Sequence, residues 1–503
     1  MTESATDTDT KSLGSRLRER LGSISPFSLA MLGFIGILGN LFPQLEVLQL
    51  FHLFWLFMLW PVASMLVGSI KQSLGYGTDD AGPRDWLQMG EGLRGQVAFL
   101  LGLPLSVLNP LMGRQDVMQL LGSIVAVVRH RGYLPGPKSF SQSTRYRLPV
   151  KGTWTVVNGS PIKEYSHSWF PATQRYAYDF VITDDEGRSR PEGTDTSIEN
   201  YYCYDQPVLA PADGIVVDVH DGDPELGRAG GFSHPVKRSI TGNCVTIRHA
   251  EGEYSSLVHL VPGSIEVEPG ERVARGEQIG RCGHSGNSSE PHLHFQLQDH
   301  PTFEVATGLP VRFDDVAVDK PEVDVVEVTG WDEPDGGPGR YIHVGQRVSH
   351  APDLKPCQSG DKAATPKIGA TSGLSGVRTL ARVANGLAVG GFATVLAGFV
   401  VSSLSTIALG LAGLTGLVLA YQVRSKSLDG DRIRRGSLGT IGGVGVATAL
   451  ISVFGTVNML PELGSVVVGA GVFVTGFVLY IAVWEYGRWN LFRDNVSANA
   501  TTD

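Results

Sequence analysis

The sequence predicts a multi-pass α-helical membrane protein with a central all-β antiparallel domain, on three observations. Of the 503 residues, 42% are hydrophobic, and they are concentrated towards both ends of the chain. The middle consists instead of short alternating apolar runs bounded by Gly, Pro and Asp, the pattern of β-strands. Residues 151–350 carry 32 acidic and 16 basic side chains, a net charge of −16, whereas the whole chain carries −9. The remainder therefore carries +7, which is typical of basic borders around membrane segments, and the acidic middle argues against nucleic acid as a partner.

The N-terminal part predicts a membrane hairpin after a polar tail. Residues 1–26 are polar, contain four basic residues and lack a small-residue cleavage site, so we expect a short cytoplasmic tail rather than a signal peptide. The apolar stretches 27–42 and 48–70 follow, and the second is long enough to cross about 30 Å of hydrocarbon. Because Pro43 marks a tight turn between them, we interpret residues 27–72 as a transmembrane hairpin.

A second apolar zone, residues 95–130, is less regular. Its apolar stretches, 97–112 and 117–128, are interrupted by Arg114 and Asp116, and each is short for a membrane span. We interpret this zone as short interfacial or re-entrant helices, or as membrane crossings, and the sequence leaves these alternatives open.

The acidic middle, residues 139–350, predicts the antiparallel β domain. Helical periodicity is nearly absent from residues 151–300, so a site there must be built from strands and loops. Residues 351–376 contain three prolines and four glycines and are predicted to be a flexible linker.

Four transmembrane helices are predicted within residues 377–488, before a polar tail at 489–503. Small residues recur at a spacing of four, as in Gly439-x-x-x-Gly443 and Ser465-x-x-x-Gly469, which lets helices approach closely. The spans are expected at residues 383–403, 405–422, 438–460 and 464–485.

The most informative motif lies at residues 290–297, where the sequence is Glu-Pro-His-Leu-His-Phe-Gln-Leu. His292 and His294 alternate with apolar residues, and side chains two positions apart on a strand share one face. Two imidazoles held side by side suit a metal site, in which one nitrogen coordinates and its neighbour handles protons on a bound water. Taken alone, this spacing also fits a pair of histidines on a half-buried strand.

Five separated segments share the order and spacing of one family. They are Tyr-Ala-Tyr-Asp-Phe at 176–180, Pro-Val-Leu-Ala-Pro-Ala-Asp-Gly-Ile-Val-Val at 207–217, Tyr-Ser-Ser-Leu-Val-His-Leu at 254–260, Pro-Gly-Glu-Arg-Val-Ala-Arg-Gly-Glu-Gln-Ile-Gly at 269–280 and Gly-His-Ser-Gly-Asn-Ser-Ser-Glu-Pro-His at 283–292. Together they resemble the lysostaphin-type (LytM-like) zinc metallopeptidases, whose domain is a β-sandwich with the duplicated hybrid motif, over about residues 151–300. The resemblance implies hydrolysis of peptide bonds in cell-wall, peptidoglycan-type cross-links.

The resemblance implies one zinc ion (Zn2+) per catalytic domain, with Asp179 and His294 as two of its three protein ligands. Most members of the family place a histidine four residues before the aspartate, where this chain has Arg175. A guanidinium cannot give up its proton to bind a cation, so Arg175 is not a ligand. We expect the third ligand to be His167, the nearest upstream histidine, returned to the metal by a longer loop; a surface histidine is the alternative.

His292 and His259 are the expected catalytic residues. By the resemblance, His292 takes a proton from the zinc-bound water, and His259 stabilises the oxyanion that forms at the attacked carbonyl. The loop at 283–289 is rich in Gly and Ser. It either lets the substrate backbone come close or is an ordinary surface turn.

Two other functions stay open at this point. The domain could keep the fold without catalysis and serve as a binding or activator module for another envelope enzyme, as some relatives of the family do. It could also be a biotinyl- or lipoyl-type carrier, which needs a modified lysine at a tight hairpin. Lys237 is the only lysine between the two candidate halves, and its surroundings do not match that motif.

The expected partners are the lipid bilayer and a peptide or peptidoglycan-like substrate, while the oligomeric state is not defined by the sequence. Basic residues within 11–20 and 424–435 place the catalytic domain in the cytoplasm under the positive-inside rule. The family resemblance places it outside, and long domains cross the membrane with little regard to charge. We therefore expect an extracytoplasmic domain, with the cytoplasmic side as the alternative.

Overall fold

The structure is a computed structural model, and the chain divides into two units, residues 1–81 and 82–503. In the first unit, 3-10 helices run from Leu32 to Ile35 and from Pro43 to Leu59. The predicted tail at 1–26 and most of the second half of the predicted hairpin lie outside the described residues. The described residues are 29, 32–36, 39, 43–59, 109–163, 166, 168, 169, 171–230, 237–319, 339–350, 371–398, 401, 403–424, 431–457 and 464–500.

The middle of the second unit is an antiparallel β domain, as predicted. Its described strands are β1 Trp154–Asn158, β2 Tyr178–Val181, β3 Pro207–Leu209, β4 Gly214–His220, β5 Asn243–Ala250, β6 Glu253–Leu260, β7 Arg272–Val273, β8 Gln278–Arg281, β9 Leu293–Gln298, β10 Gly308–Leu309, β11 Val316–Asp319 and β12 Arg347–His350. Ten of these strands form one sheet in the order β11-β12-β1-β2-β9-β6-β5-β4-β7, with β10 paired to β9, and β3 pairs with β8 separately.

Strand β9 is buried on both of its faces. Leu293, Phe295 and Leu297 point into the hydrophobic core of the domain, where the rings of Phe295 and Phe313 have centroids 5.6 Å apart. The alternate residues, beginning with His294, are polar and equally buried. Buried polar groups need hydrogen-bond partners, so this second face defines where a polar site lies.

Helix α1, Pro110–Arg129, begins at the N-cap Asn109, whose side-chain oxygen accepts from the backbone of Leu111 and Met112. The helix runs unbroken through Arg114 and Asp116, where the sequence pattern suggests an interruption. Arg114 is accommodated because it is buried against protein, and its Nε donates to the Leu111 carbonyl at 3.4 Å.

The polar face of helix α1 packs on the β domain. Gln115 Oε1 accepts from the Ile240 backbone at 2.7 Å, and Ser123 Oγ accepts from the Ala172 backbone at 3.1 Å. A Cβ at Gly122 would lie 1.7 Å from the Glu304 carbonyl oxygen, so the backbones touch there. Gln115, Gln119 and Ser123 are spaced four apart and share one side of the helix.

The opposite face of helix α1 is apolar and exposed. Ile124, Val125 and Val128 have 54%, 45% and 72% of their surface accessible. A helix on a water-soluble domain has the reverse arrangement, with its apolar side buried. The surroundings that suit this outer face are therefore apolar.

The described residues of the C-terminal region form four helices, as many as the spans that the sequence predicts. The first helix begins at Thr371, so its first six residues belong to the predicted linker. Linker residues 351–370 lie outside the described part of the chain. The last helix runs past residue 485, where its predicted span ends, into the predicted polar tail. The helices are α2 Thr371–Gly398, α3 Leu404–Arg424, α4 Asp431–Val457 and α5 Gly464–Ala500.

Three described helical segments are long and apolar enough to cross a membrane, namely Leu111–Arg129, Thr379–Gly398 and Gly464–Gly487. Shorter apolar segments occur at Leu404–Leu417 and Gly439–Phe454. By length and composition, two of the four predicted C-terminal spans, those in α2 and α5, are therefore candidates for crossing a membrane, and helix α1 is a third candidate.

The small residues singled out in the sequence lie where C-terminal helices touch. A Cβ at Gly443 of α4 would meet the Val383 carbonyl of α2 at 2.0 Å, and a Cβ at Gly469 of α5 would meet the Val395 nitrogen of α2 at 2.7 Å. Helices α4 and α5 thus approach α2 at backbone distance, which only small residues permit.

The end of strand β9 is tied to two of the helices. Asp299 accepts from Arg129 Nη1 at 3.3 Å and lies 2.6 Å from His130 Nε2, both at the end of α1. His300 Nε2 lies 3.2 Å from Glu485 of α5. The strand therefore connects the β domain with the helical part of the chain.

Candidate metal centre

Two neighbouring strands bring the first pair of predicted ligands together. Asp179 of β2 lies directly opposite His294 of β9 in the antiparallel register, and directly opposed side chains are close neighbours. His294 Nδ1 is 2.8 Å from Asp179 Oδ1. Both residues are buried, at 5% and 6% exposure.

The carboxylate of Asp179 is oriented by Asn158, which lies opposite it on strand β1. Asn158 Nδ2 donates to Asp179 Oδ2 at 3.1 Å and to Ser168 Oγ at 2.6 Å. With Oδ2 held in this way, Oδ1 is the oxygen that faces His294. Asn158 is not predicted by the sequence, because its role depends on a strand pairing that no local pattern shows.

His292 precedes strand β9 and lies on the same side as His294. Its Nδ1 is 2.8 Å from the Glu290 carbonyl, and a carbonyl only accepts, so Nδ1 carries the proton. The unprotonated Nε2 then faces Asp179 Oδ1 at 3.7 Å. This nitrogen can accept a proton from a group bound between them.

His259, at the end of β6, joins the cluster through an unusual backbone conformation. In the sheet register Val258 is the partner of His294, so regular alternation would send the next side chain to the other face. His259 instead has φ of +66°, and its ring centroid lies 4.7 Å from that of His292 and 5.9 Å from that of His294. Its Nδ1 donates to the Ser285 carbonyl at 2.8 Å, which leaves Nε2 unprotonated.

Burial and the nearby carboxylate set the protonation of the three histidines. Burial lowers the pKa of His259 well below its ordinary value, and positive charge on either neighbouring histidine would lower it further. Burial also lowers the pKa of His292, against the opposing effect of Asp179. Burial acts in the same direction on His294, but its hydrogen bond to Asp179 and the charge of that carboxylate outweigh burial, so its pKa is raised.

The expected third ligand, His167, lies outside the described residues. Within the described part of the chain, no group of three His, Cys, Asp or Glu side chains is placed to hold one metal ion. Arg175, at the position where the family usually has histidine, stacks its guanidinium on the Trp169 ring at 5.0 Å. That arrangement agrees with its exclusion as a ligand.

The donor atoms present fit a zinc ion after a small adjustment. Zinc binds Asp oxygen and His nitrogen at about 2.0–2.2 Å, and tetrahedral ligands are then about 3.3 Å apart. Asp179 Oδ1 and His294 Nδ1 are 2.8 Å apart, so the two side chains need to separate by about half an ångström. One oxygen and one nitrogen donor, both buried and facing each other, suit the preference of zinc for mixed ligands.

The glycines of the loop at 283–289 serve the packing of the protein itself. A Cβ at Gly283 would lie 2.3 Å from Glu225 Oε1, and a Cβ at Gly286 would lie 2.3 Å from the Gly242 nitrogen. Gly286 also has a positive φ of +70°. The space that these residues leave is therefore filled by Glu225 and Gly242, which argues against the alternative that they make room for a substrate backbone.

Lys237 has surroundings unlike those of a carrier lysine. It is 3% exposed, and its Nζ donates to the Ser288 carbonyl at 2.6 Å. Burial lowers the pKa of Lys237 to about 7. A lysine that receives a cofactor must be accessible on a hairpin, so the biotinyl- or lipoyl-type function does not fit.

The cluster of one carboxylate and three histidines on an antiparallel sheet contains the side-chain types that metal-assisted hydrolysis uses, and comparison with known proteins identifies the domain. Residues 192–305 match Peptidase family M23. The chain therefore contains an M23 (LytM-like) peptidase domain, as the sequence motifs predict. His259, His292 and His294 fall inside the matched range, and Asp179 precedes it.

Several curated proteins are similar to this part of the chain. Cell division protein DipM of Caulobacter vibrioides is 34% identical over 92 residues, which are 18% of this chain and 15% of DipM. Peptidoglycan DD-endopeptidase ShyA of Vibrio cholerae is 33% identical over 106 residues, 21% of this chain and 19% of ShyA. DD-carboxypeptidase/endopeptidase Mpg of Neisseria meningitidis is 35% identical over 106 residues, 21% of this chain and 20% of Mpg. The chain thus spans a fifth or less of the length of these relatives.

Solved structures with similarity to the chain include two peptidases. A zinc containing peptidase from Vibrio cholerae has a TM-score of 0.22 at 20% identity, covering 34% of this chain and 40% of that one. The antimicrobial peptidase lysostaphin from Staphylococcus simulans has a TM-score of 0.17 at 22% identity, covering 26% of this chain and 41% of that one.

Proposed function

We propose that this protein is a membrane-anchored zinc metalloendopeptidase that hydrolyses peptide bonds, in peptidoglycan-type cross-links of the cell wall. The observation that carries the proposal is the buried contact between Asp179 Oδ1 and His294 Nδ1, with two further imidazoles beside it. The M23 match supports the metallopeptidase class. The names of ShyA and Mpg support a peptidoglycan-type substrate.

In this proposal Asp179, His294 and His167 hold the zinc ion. When bound there, zinc supplies a Lewis acid that polarises the scissile carbonyl and brings the pKa of a bound water to about 7. His292 Nε2 takes a proton from the attacking water, because its Nδ1 is already committed to the Glu290 carbonyl.

His259 stabilises the oxyanion in this proposal. Its neutral form presents an unprotonated Nε2, since Nδ1 donates to Ser285. It can therefore donate to the oxyanion only after gaining a proton at Nε2. Negative charge developing beside the ring favours the charged form and raises its pKa.

The first test measures zinc content and hydrolysis by the full chain in detergent, with purified peptidoglycan and with free peptides. We expect His294→Ala to lose bound zinc and hydrolysis, because a metal ligand is removed. We expect His292→Ala to keep zinc and to hydrolyse about 10²–10⁴-fold more slowly, because a general base is removed. His220→Ala, in which a histidine away from the cluster is replaced, is the control and should match the native chain.

Unchanged hydrolysis in either His292→Ala or His294→Ala contradicts these assignments. A native chain that binds zinc and cleaves no peptide supports the inactive binding or activator module instead. Cleavage of free peptides without cleavage of peptidoglycan would support hydrolysis of peptide bonds and contradict peptidoglycan as the substrate.

We propose further that the bilayer covers the outer face of helix α1 and the apolar helices α2 and α5. Exposed Ile124, Val125 and Val128 on α1 and the composition of the three candidate spans support this. The catalytic domain, residues 139–350, then lies on the extracytoplasmic side in our proposal, which agrees with a cell-wall substrate.

Protease added to intact cells should digest this domain, and protection of the domain contradicts the orientation.

A charge on the outer face of α1 tests the contact with lipid. We expect Val128→Asp to destabilise the full chain in lipid nanodiscs by up to about 3 kcal/mol, because a carboxylate in hydrocarbon is costly. Val128→Ala carries no charge, and we expect it to change the stability by about 0.5 kcal/mol or less. Thermal unfolding measures both. An equal Tm for native and Val128→Asp chains would mean that this face is in water.

A further inference from the structure

The polar face of strand β9 continues beyond the two histidines. Gln296 and Gln298 follow His294 at the same spacing of two, and both are fully buried. His294 Nε2 lies 3.0 Å from Gln296 Oε1. The ring of His294 is thus held on one side by Asp179 and on the other by Gln296.

The orientation of the Gln296 amide is fixed by its other partners. Gln296 Nε2 donates to the Thr173 carbonyl at 3.0 Å and to Gln298 Oε1 at 2.5 Å. Both hydrogens of the amide nitrogen are therefore used, and Oε1 must be the atom that faces His294. Since an amide oxygen only accepts, His294 Nε2 carries a proton.

This proton determines which nitrogen of His294 can bind a metal. A neutral imidazole has one protonated nitrogen and one with a free lone pair. With Nε2 protonated towards Gln296, Nδ1 donates to Asp179 Oδ1 at 2.8 Å in the metal-free chain, and Nδ1 is the nitrogen that loses its proton and offers a lone pair when a metal binds. Metal-binding histidines generally have the second nitrogen fixed in this way by a neighbouring acceptor.

Thr173 connects Gln296 to helix α1. The carbonyl of Thr173 accepts from Gln296, and its hydroxyl donates to Gln119 Oε1 at 3.1 Å. Gln119 Oε1 also accepts from Gln174 Nε2 at 2.7 Å. Both Gln119 and Thr173 are buried, at 3% and 0% exposure, so water does not compete for these bonds.

We infer that Gln296 is a positioning residue for His294 and that helix α1 supports it through Gln119 and Thr173. The segment that we propose to face the membrane is then part of the structure that holds the metal ligand. This inference rests on the proposed metal site and adds to it a residue, Gln296, that sets the nitrogen through which His294 binds.

Metal affinity of the full chain, measured by competition with a chelator, tests the role of Gln296. Gln296→Met keeps the length of the side chain and removes the acceptor, so we expect zinc to bind about 10–100-fold more weakly. Gln115→Met makes the same change at another buried glutamine, which accepts from the Ile240 backbone and contacts neither His294 nor Gln296, so it should leave affinity within about twofold of native. The visible spectrum of the cobalt-loaded chain should change in the first variant only. Equal affinity and spectra for native and Gln296→Met chains overturn the inference.

The role of helix α1 is tested by combining substitutions. We expect Gln119→Met to weaken zinc binding in the native background and to have no further effect in the Gln296→Met background, since both act through one contact. Gln115→Met removes a contact of the same helix with Ile240 and serves as the matched control, with an effect that adds to that of Gln296→Met. Additive effects of Gln119→Met and Gln296→Met contradict the connection.

Deuterium exchange at the His294 ring carbon, followed by mass spectrometry on the metal-free chain, separates this inference from the proposed function. We expect faster exchange at His294 in Gln296→Met than in native or Gln115→Met, with a matching Tm for both variants. A native chain that binds no zinc but shows this pattern contradicts the metallopeptidase and supports the positioning role. Unchanged exchange in Gln296→Met contradicts the positioning role whatever the chain binds.

Discussion

The structure depends on the burial of strand β9 on both faces. One face gives Leu293, Phe295 and Leu297 to the hydrophobic core, and the other holds His294 within hydrogen-bond distance of Asp179. A buried polar row is tolerated only if each member is paired, because an unpaired polar group in the interior costs about 1–3 kcal/mol. Asn158, the backbone carbonyls and the two glutamines supply these partners. The same pairing that makes the strand stable also fixes which atom of each histidine faces the centre.

The ends of strand β9 have different neighbours, and this links the site to the helical part of the chain. Near its start lie the other histidines of the cluster, and beyond its end Asp299 and His300 contact α1 and α5. A displacement of either helix would therefore act on the strand that carries His294. Helix α1 also contacts the loop at 172–174 from its polar face. Its apolar outer face and its polar inner face together explain how one segment can face lipid and support a polar site.

The sequence predicts the parts of the site that depend on local spacing. The alternation of His292 and His294 predicts their shared face, and the family motifs point to Asp179 and His259 as members of the same cluster. Gln296 continues that alternation and could have been found by the same rule. Asn158 could not, because its contact with Asp179 comes from the pairing of β1 with β2. His259 lies on strand β6, where regular alternation would place its side chain on the opposite face, and the positive φ of this non-glycine residue has no sequence signal. Arg114 and Asp116 interrupt the apolar pattern of residues 95–130 without interrupting helix α1, because local sequence does not show that Arg114 is buried against protein.

Zinc-loaded crystals of the full chain, measured on both sides of the zinc absorption edge, would locate the metal without any substitution. We expect one anomalous peak per chain, at about 2.0–2.2 Å from both Asp179 Oδ1 and His294 Nδ1, with the His167 imidazole as the third protein ligand. A peak that shares no atom with Asp179 or His294, or the absence of any peak between these strands in zinc-loaded protein, would contradict it.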